Sequence, residues 1–376
     1  MQLDQSDQNA FRFTDDTGVE TVVTQEVLQG TRQAYEKLLS RIGPMLPLHP
    51  DDVREHLKTK NAAPESSLRA WSDNEELSRA EWDSIKHWYN RVSVMDTGVE
   101  DEALLAQETH LGRTQEEFSE LECAYTAETP SITYIDNILS QDTVDALYKY
   151  ALGSTVWTST KAGYLGAYMR TGFSNKLMGL VADELKAAMP HMFCSFNLEQ
   201  MWMYKYDSIL RSGIETHADP AVVNVNIWLT PDDALINSEG ARDQAGLVVY
   251  TVAPSLDWSH AKYNGASGRD AVRELLKENN YENVTVPYKQ NRAVIFDSHL
   301  LHHSGKIQFK KGYKNRRINL TLLFGRKENN ECVLPKGIQP FTEEELDKCR
   351  GKTVNVPLET APPLVDSYRI PSLDLY

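Results

Sequence analysis

The chain has 376 residues, 41% hydrophobic and 25% charged, with a net charge of −15. That composition supports a large folded core and excludes a chain disordered throughout, and the acidic balance makes a phosphate backbone a poor partner. No apolar run approaches the ~20 residues of a membrane-spanning helix, so neither nucleic acid nor a membrane is expected as a partner.

The first residues, MQLDQSDQNAFRFTDD, lack the basic and apolar regions of a secretory signal. Cys123, Cys194, Cys332 and Cys349 lie far apart with no CxxC pair. This predicts neither a thiolate zinc site nor a disulfide framework, and a reducing, cytoplasmic compartment. Residues 1–130 hold 12 Lys and Arg against 26 Asp and Glu, net −14, whereas the remainder is nearly neutral. The break predicts an acidic, mainly helical region over 1–125, a core over 126–330 and a C-terminal extension over 331–376.

Residues 1–20 are polar and are expected to be frayed. Helical spacing follows at 24–42, 51–60 and 72–91, and Thr114-Gln-Glu-Glu117 has the form of a capping box opening a helix through Leu121. The pattern changes after Pro130. Residues 132–138 read as a strand, Ser140 as the cap of a helix to about Leu152, and 174–188 as a second helix. The segment between them, 160–173, is expected to be a loop.

Strands then dominate. Residues 198–207 alternate, and 222–230 alternate strictly, with Val223, Val225, Ile227 and Leu229 against Asn224, Asn226, Trp228 and Thr230. Further strands are predicted at 247–252, 284–287, 293–297 and 317–324, with a long insert at 253–283 in the position of a lid. So many strands of antiparallel type in about 130 residues imply a barrel or jelly roll, with the two preceding helices packed on one sheet and an α+β class overall.

Three polar clusters lie on this frame. His217-Ala-Asp219 puts two ligand side chains on one face of an extended segment. Phe296-Asp-Ser-His-Leu-Leu-His-His303 offers a further histidine. Two His and one carboxylate leave open positions on an octahedral ion, the set that suits non-haem Fe(II). Arg316-Arg317 opens a later strand, where a guanidinium can clamp a carboxylate through two hydrogen bonds. The order is HxD, strands, FDSxLxH and RxN, with His302 following His217 by 85 residues and Arg317 a further 15 on.

The stretch from about Ile132 to Lys327 resembles the Fe(II)- and 2-oxoglutarate-dependent dioxygenases with a double-stranded β-helix. The motifs that carry the resemblance are MYKYDSILRSGIETHADPAVVNVNIWLTPDDA, NRAVIFDSHLLHH and GYKNRRINLTLLFG; ITYIDNILSQDTVDALYKYA is similar to the start of prolyl-hydroxylase-like members. The whole chain is also similar to algal kainoid synthases, which close a pyrrolidine ring on an N-prenylated glutamate. The resemblance implies Fe(II), 2-oxoglutarate and O2, with ascorbate as a stimulant. The reaction it implies is decarboxylation to succinate coupled to oxidation of an unactivated C–H bond, by hydroxylation, desaturation or ring closure.

By the same resemblance, His217, Asp219 and His302 are the metal ligands and Arg317 with Asn319 holds 2-oxoglutarate. His299 and His303 do not fit the family's spacing. Asn226, Tyr204, Tyr206 and Ser298 are expected around the co-substrate, and Tyr164, Tyr168, Arg170, Arg211 and Trp228 around a small, carboxylate-bearing substrate. Arg316 is expected to be solvated or paired. The relatives have Gly-Gly where this chain has Ala245-Gly246. The enzyme is expected to be a monomer or homodimer. A peptidyl hydroxylase and a non-catalytic β-helix binding module are the alternatives.

Overall fold

The computed structural model describes residues 2–3, 10–14, 20–24, 98–161, 163–210, 214, 216–236, 246–264, 268–351 and 359–360. In chain order the first elements are β1 (Gln2–Leu3), β2 (Ala10–Thr14), β3 (Glu20–Thr24), α1 (Glu102–Leu105) and α2 (Gln115–Ala127). They are followed by β4 (Ile132–Asp136), α3 (Gln141–Gly153), β5 (Ser159–Lys161), β6 (Tyr164–Tyr168), α4 (Lys176–Ala188) and α5 (Pro190–Phe193). Then come β7 (Leu198–Tyr206), β8 (Ile209–Leu210), β9 (Val223–Trp228), β10 (Leu247–Tyr250), α6 (His260–Asn264), α7 (Arg269–Glu278) and β11 (Glu282–Val286). The chain continues through β12 (Arg292–Asp297), β13 (His302–Ser304), β14 (Ile307–Gln308), β15 (Ile318–Phe324), α8 (Glu343–Cys349) and β16 (Glu359–Thr360).

The alternating segments pair antiparallel into a major sheet of order β4-β12-β9-β15-β7-β6-β5, facing a minor sheet of order β13-β10-β11-β16. This is the double-stranded β-helix, and the class is α+β. Each major-sheet strand splits its side chains between two cores. Val223, Val225 and Ile227 of β9, with Ile318, Leu320 and Leu322 of β15, pack under the helices against Leu147 of α3 and Leu177, Val181 and Leu185 of α4. Trp228, Phe296, Tyr204 and Tyr206 point between the sheets. Burial of each Leu or Val in the helical layer contributes about 1.5–3 kcal/mol.

The helix ends follow their sequence signals. Ser140 caps α3 by accepting from the Thr143 N–H, and Thr114 and Glu117 complete the capping box of α2. That helix runs on to Ala127, past the expected Leu121, because Phe118 and Tyr125 are buried in the same core as α3 and α4. The expected boundary at 125 therefore falls inside α2.

Several expectations are corrected. Residues 1–20, expected to be frayed, contribute to an antiparallel β1-β2-β3 sheet, in register Gln2↔Arg12 and Ala10↔Thr24; apolar and β-branched residues in AFRFT and ETVVT suit strands. Thr24 ends a strand, and the helices expected over 25–42, 51–60 and 72–91 lie outside the described residues. The expected loop 160–173 is largely the hairpin β5-β6, paired to β7 from Tyr164↔Tyr206 to Tyr168↔Trp202, followed by one 3-10 turn. The insert 253–283 carries α6 and α7, which leaves the expectation of a lid standing. Of the two alternatives for Arg316, solvated or paired, its burial excludes the first.

The four cysteines form two disulfides, Cys123–Cys349 and Cys194–Cys332, across 226 and 138 residues. Distance along the chain is no guide here, because the segment after β15 returns across the helical layer. The reading of a reducing, cytoplasmic compartment rested on unpaired thiols and loses that footing, since such bridges persist mainly in oxidising surroundings. No helix among the described residues is long and apolar enough to cross a membrane.

Candidate metal centre and active site

His217 and His302 face each other across an isolated antiparallel bridge at the β13 edge of the minor sheet. Each backbone N–H donates to the other's carbonyl, at 3.0 and 2.8 Å. Asp219 N donates to the Ser298 carbonyl at 3.0 Å, fixing the carboxylate's strand against the turn after β12. As a result His217 Nε2 lies 3.9 Å from Asp219 Oδ1 and His302 Nε2 3.5 Å from Asp219 Oδ2. The three side chains offer ligand atoms that all lie within 4.8 Å of one another, close enough for one ion to reach all three.

His302 Nδ1 lies 2.8 Å from the Leu300 carbonyl, so Nδ1 carries the proton and Nε2 keeps its lone pair for a metal. His303 lies on the other face of β13, its ring 5.8 Å from that of Tyr250. His299 is buried with Nε2 2.9 Å from the Pro254 carbonyl. Neither belongs to the ligand set.

From Asp219 a hydrogen-bonded lane runs along the inner face of β9 and β15. Asn224 Nδ2 donates to Asp219 Oδ2 (2.9 Å), and Asn226 Nδ2 to Asn224 Oδ1 (2.8 Å). Asn319 Nδ2 donates to Asn226 Oδ1 (3.3 Å) and Thr321 Oγ1 to the same oxygen (2.9 Å). Arg317 Nη1 donates to Asn319 Oδ1 (3.2 Å), and its Nη2 approaches the Gly246 carbonyl (3.5 Å). The two Asn of β9 thus face inward, as a polar floor.

Arg317 is buried, its guanidinium 4.8 Å from the Tyr206 ring and 5.8 Å from the Trp228 ring. Burial raises the Tyr206 hydroxyl pKa, although Arg317 opposes the rise. Trp228 Nε1 has neither solvent nor a hydrogen-bond partner. An orphaned donor beside a buried cation fits an anion with further acceptor atoms, such as the far carboxylate of a dicarboxylate.

A cleft of about 290 Å³ opens beside the ligand atoms, lined by Tyr168, Arg170, Trp202, Tyr204, His217 and Asp219 among others. The Tyr168 hydroxyl donates to that of Tyr204 at 3.3 Å, and the Arg170 guanidinium lies 5.4 Å from the Tyr168 ring. The structure thus brings Tyr168, Arg170 and Tyr204 to the mouth. It takes Trp228 away from the expected substrate face: the indole is fully buried and stacked 5.2 Å from Tyr288, on the Arg317 side. Tyr164 packs between Tyr204 and Tyr206 as an interior ring. Ser298 holds the ligand backbone through its carbonyl, and its hydroxyl is buried without a partner. Arg211 lies outside the described residues.

Sequence reasoning did not find Asn264. From α6 it grips the backbone of Ala218, between His217 and Asp219: Ala218 N donates to Asn264 Oδ1 (3.0 Å), and Asn264 Nδ2 donates to the Ala218 carbonyl (2.7 Å). Thr321 was missed too, although its spacing from Arg317 and Asn319 places it on their face.

No protein-family model matches the chain, and no curated protein matches its sequence. Among solved structures, the epimerase SnoN in complex with Fe3+, alpha ketoglutarate and nogalamycin RO overlaps at 14% identity and a TM-score of 0.41, over 67% of this chain and 98% of that one. The alpha-ketoglutarate-dependent carbocyclase SnoK from nogalamycin biosynthesis gives 12% and 0.38, over 60% and 96%. EctD from S. alaskensis, with 2-oxoglutarate and 5-hydroxyectoine, gives 13% and 0.36, over 66% and 89%. Overlaps this partial leave function to be argued from the side chains.

Proposed function

We propose that the chain is an Fe(II)- and 2-oxoglutarate-dependent oxygenase that oxidises an unactivated C–H bond of a small carboxylate-bearing molecule. The observation that carries this reading is the unbroken polar lane from Asp219 to Arg317. It joins a two-His, one-carboxylate set to a buried guanidinium, which is the layout a chelating keto acid with a distal carboxylate requires.

Bound Fe(II) with 2-oxoglutarate and O2 supplies the oxidising chemistry, with succinate and CO2 as co-products. The protein supplies position. His217, Asp219 and His302 hold the ion. Asn224 accepts from Asn226 and donates to the Asp219 carboxylate, leaving its other oxygen for the metal. Arg317, oriented by Asn319, takes the far carboxylate, with Trp228 Nε1 beside it. Tyr204 and Tyr168 form the wall between the metal and the mouth, and Arg170 stands where an anionic substrate would enter. The cleft volume favours a small molecule over a folded protein substrate, and the bond's fate is hydroxylation or ring closure of the kainoid kind.

The test is succinate release by the Fe(II)-loaded chain against a panel of amino and hydroxy acids. Turnover of 2-oxoglutarate should be stimulated by a true substrate and lost in His302→Ala. A chain that binds 2-oxoglutarate tightly yet releases no succinate with any compound would be a binding module instead.

A further inference from the structure

A second cleft, of about 630 Å³, lies against the first. Pro220, next to the ligand Asp219, lines both. Its other walls include Leu256, Trp258 and Tyr263 from the insert, His299 from the turn before β13, and Lys327 from beyond β15. Leu256 is 78% exposed, the largest exposure among the large apolar side chains described, and it sits beside the Trp258 ring in chain order. Part of the lining is therefore apolar and aromatic.

The lining also includes the acid Glu328 and two residues with an unsatisfied nitrogen. Lys327 Nζ and His299 Nδ1 are both shielded from solvent, and neither has a hydrogen-bond partner. A buried polar group left so is destabilising, and a charged one more than a neutral one. Burial pulls the Lys327 ammonium down to about 8, with Asp297 and Glu328 opposing. Asp297 is the nearby acid, but its Oδ1 accepts from the His299 N–H at 2.9 Å, and it does not reach Lys327 with a hydrogen bond.

The two nitrogens differ in kind. Lys327 only donates. His299 uses Nε2 against the Pro254 carbonyl, so in the neutral ring Nδ1 only accepts. A ligand satisfying both presents a negatively charged acceptor next to an O–H or N–H. We propose that this cleft is a binding site for a hydroxy- or amino-carboxylic acid with an apolar body, its carboxylate on Lys327, its donor on His299 Nδ1 and its body against Trp258 and Leu256. The occupant is the outer end of a molecule reaching the metal past Pro220, or a separate acid.

Binding is measured by calorimetry on the full chain with three probes: 3-phenyllactate, 3-phenylpropanoate, which lacks the hydroxyl, and the neutral 3-phenyllactamide. Phenyllactate should bind at least tenfold more tightly than the amide and severalfold more tightly than phenylpropanoate. Lys327→Met should remove the preference for acid over amide, and Lys327→Arg should keep it within about threefold; a melting curve on each variant confirms that it folds. His217→Ala should leave probe binding unchanged, separating this cleft from the metal. Equal binding of acid and amide, no effect of Lys327→Met, or loss of the probe in His217→Ala would each overturn the proposal. Competition between phenyllactate and a turned-over substrate would identify the outer end of that substrate as the occupant, and its absence a separate acid.

Discussion

The Leu300 carbonyl decides which nitrogen of His302 faces the cleft, and the neighbouring residue is turned away by the pleat of β13. His217→Ala, Asp219→Ala and His302→Ala should each abolish tight Co(II) or Fe(II) binding and turnover without lowering the melting temperature by more than a few degrees; His303→Ala should keep both. Metal binding surviving in His302→Ala but lost in His303→Ala would shift the ligand by one residue. At the other end of the lane, Arg317→Ala removes a charge-assisted contact of about 1.5–3 kcal/mol, which should weaken 2-oxoglutarate roughly 10- to 100-fold by titration. Trp228→Phe should weaken it only severalfold. Equal losses would put the two side chains on one footing, contrary to the burial of a full charge at Arg317.

Lys205 is the inward residue of β7 on the helical side. Its ammonium donates to the Tyr313 hydroxyl at 2.7 Å and lies 4.3 Å from the Trp157 ring. Burial, and then the Arg316 charge, hold its pKa well below the usual lysine value. A lysine depressed in the folded state costs stability wherever it is protonated in both states. That cost shrinks as pH rises from the folded pKa towards the unfolded value near 10.5. Lys205→Met should therefore be more stable than the parent at pH 7, by about 1–4 kcal/mol, and the advantage should fade towards pH 10. Denaturant midpoints at several pH values decide it; a constant difference would show that Lys205 carries the same charge in the folded and unfolded chain, so that burial does not depress it.

Among the elements, α6 is the one that acts at a distance. Asn264 ties it to Ala218, so the spacing of His217 and Asp219 depends on a helix 46 residues later. Asn264→Ala should lower metal affinity about 10- to 100-fold while leaving the fold intact, the size of effect found when groups behind a ligand are removed. Gly246, at the start of β10, is a second such point: a Cβ there would lie 1.9 Å from the Val286 carbonyl oxygen. The glycine that this chain keeps is the one its minor sheet needs.

The same elements show what could be read in advance. The period-2 pattern of β9 announced a strand, and HxD, FDSxLxH and RxN announced the residues that converge. The pattern did not say which face of β9 was inward, because an outer surface and a polar floor both place Asn opposite Val. The hairpin β5-β6 was hidden by Gly163 and Gly166, which read as loop. Asn264 leaves no periodic trace, and neither did the cysteine pairing, since both depend on distant segments meeting.

At the scale of the molecule, the C-terminal segment works as a clasp. After β15 it crosses the helical layer, where Cys332 joins Cys194, the residue that follows α5. The Phe341 ring stacks on that of His191 at 3.9 Å, and the Gln339 carbonyl lies 2.8 Å from His191 Nε2. The capped helix α8 then ends in Cys349, bound to Cys123 of α2. Cys123 lies between Phe118 and Tyr125 on α2, and Cys194 belongs to the core beneath the helices. Both bridges thus tie the helical side of the major sheet, away from the His217, Asp219 and His302 side chains. Each closes a loop of more than 100 residues, for which removal costs about 2–4 kcal/mol through the freed unfolded chain. Replacing Cys123 and Cys349 together by Ala should lower the melting temperature by several degrees, and adding reductant to the parent should lower it further, because the second bridge opens as well. Metal and 2-oxoglutarate affinities at 25 °C should change less than threefold. Thiol titration of the unfolded chain without reductant gives the independent check. No reactive thiol is expected before reduction and four after, whereas four at the outset with an unchanged melting curve would mean that the clasp is held by α8 and Phe341 alone.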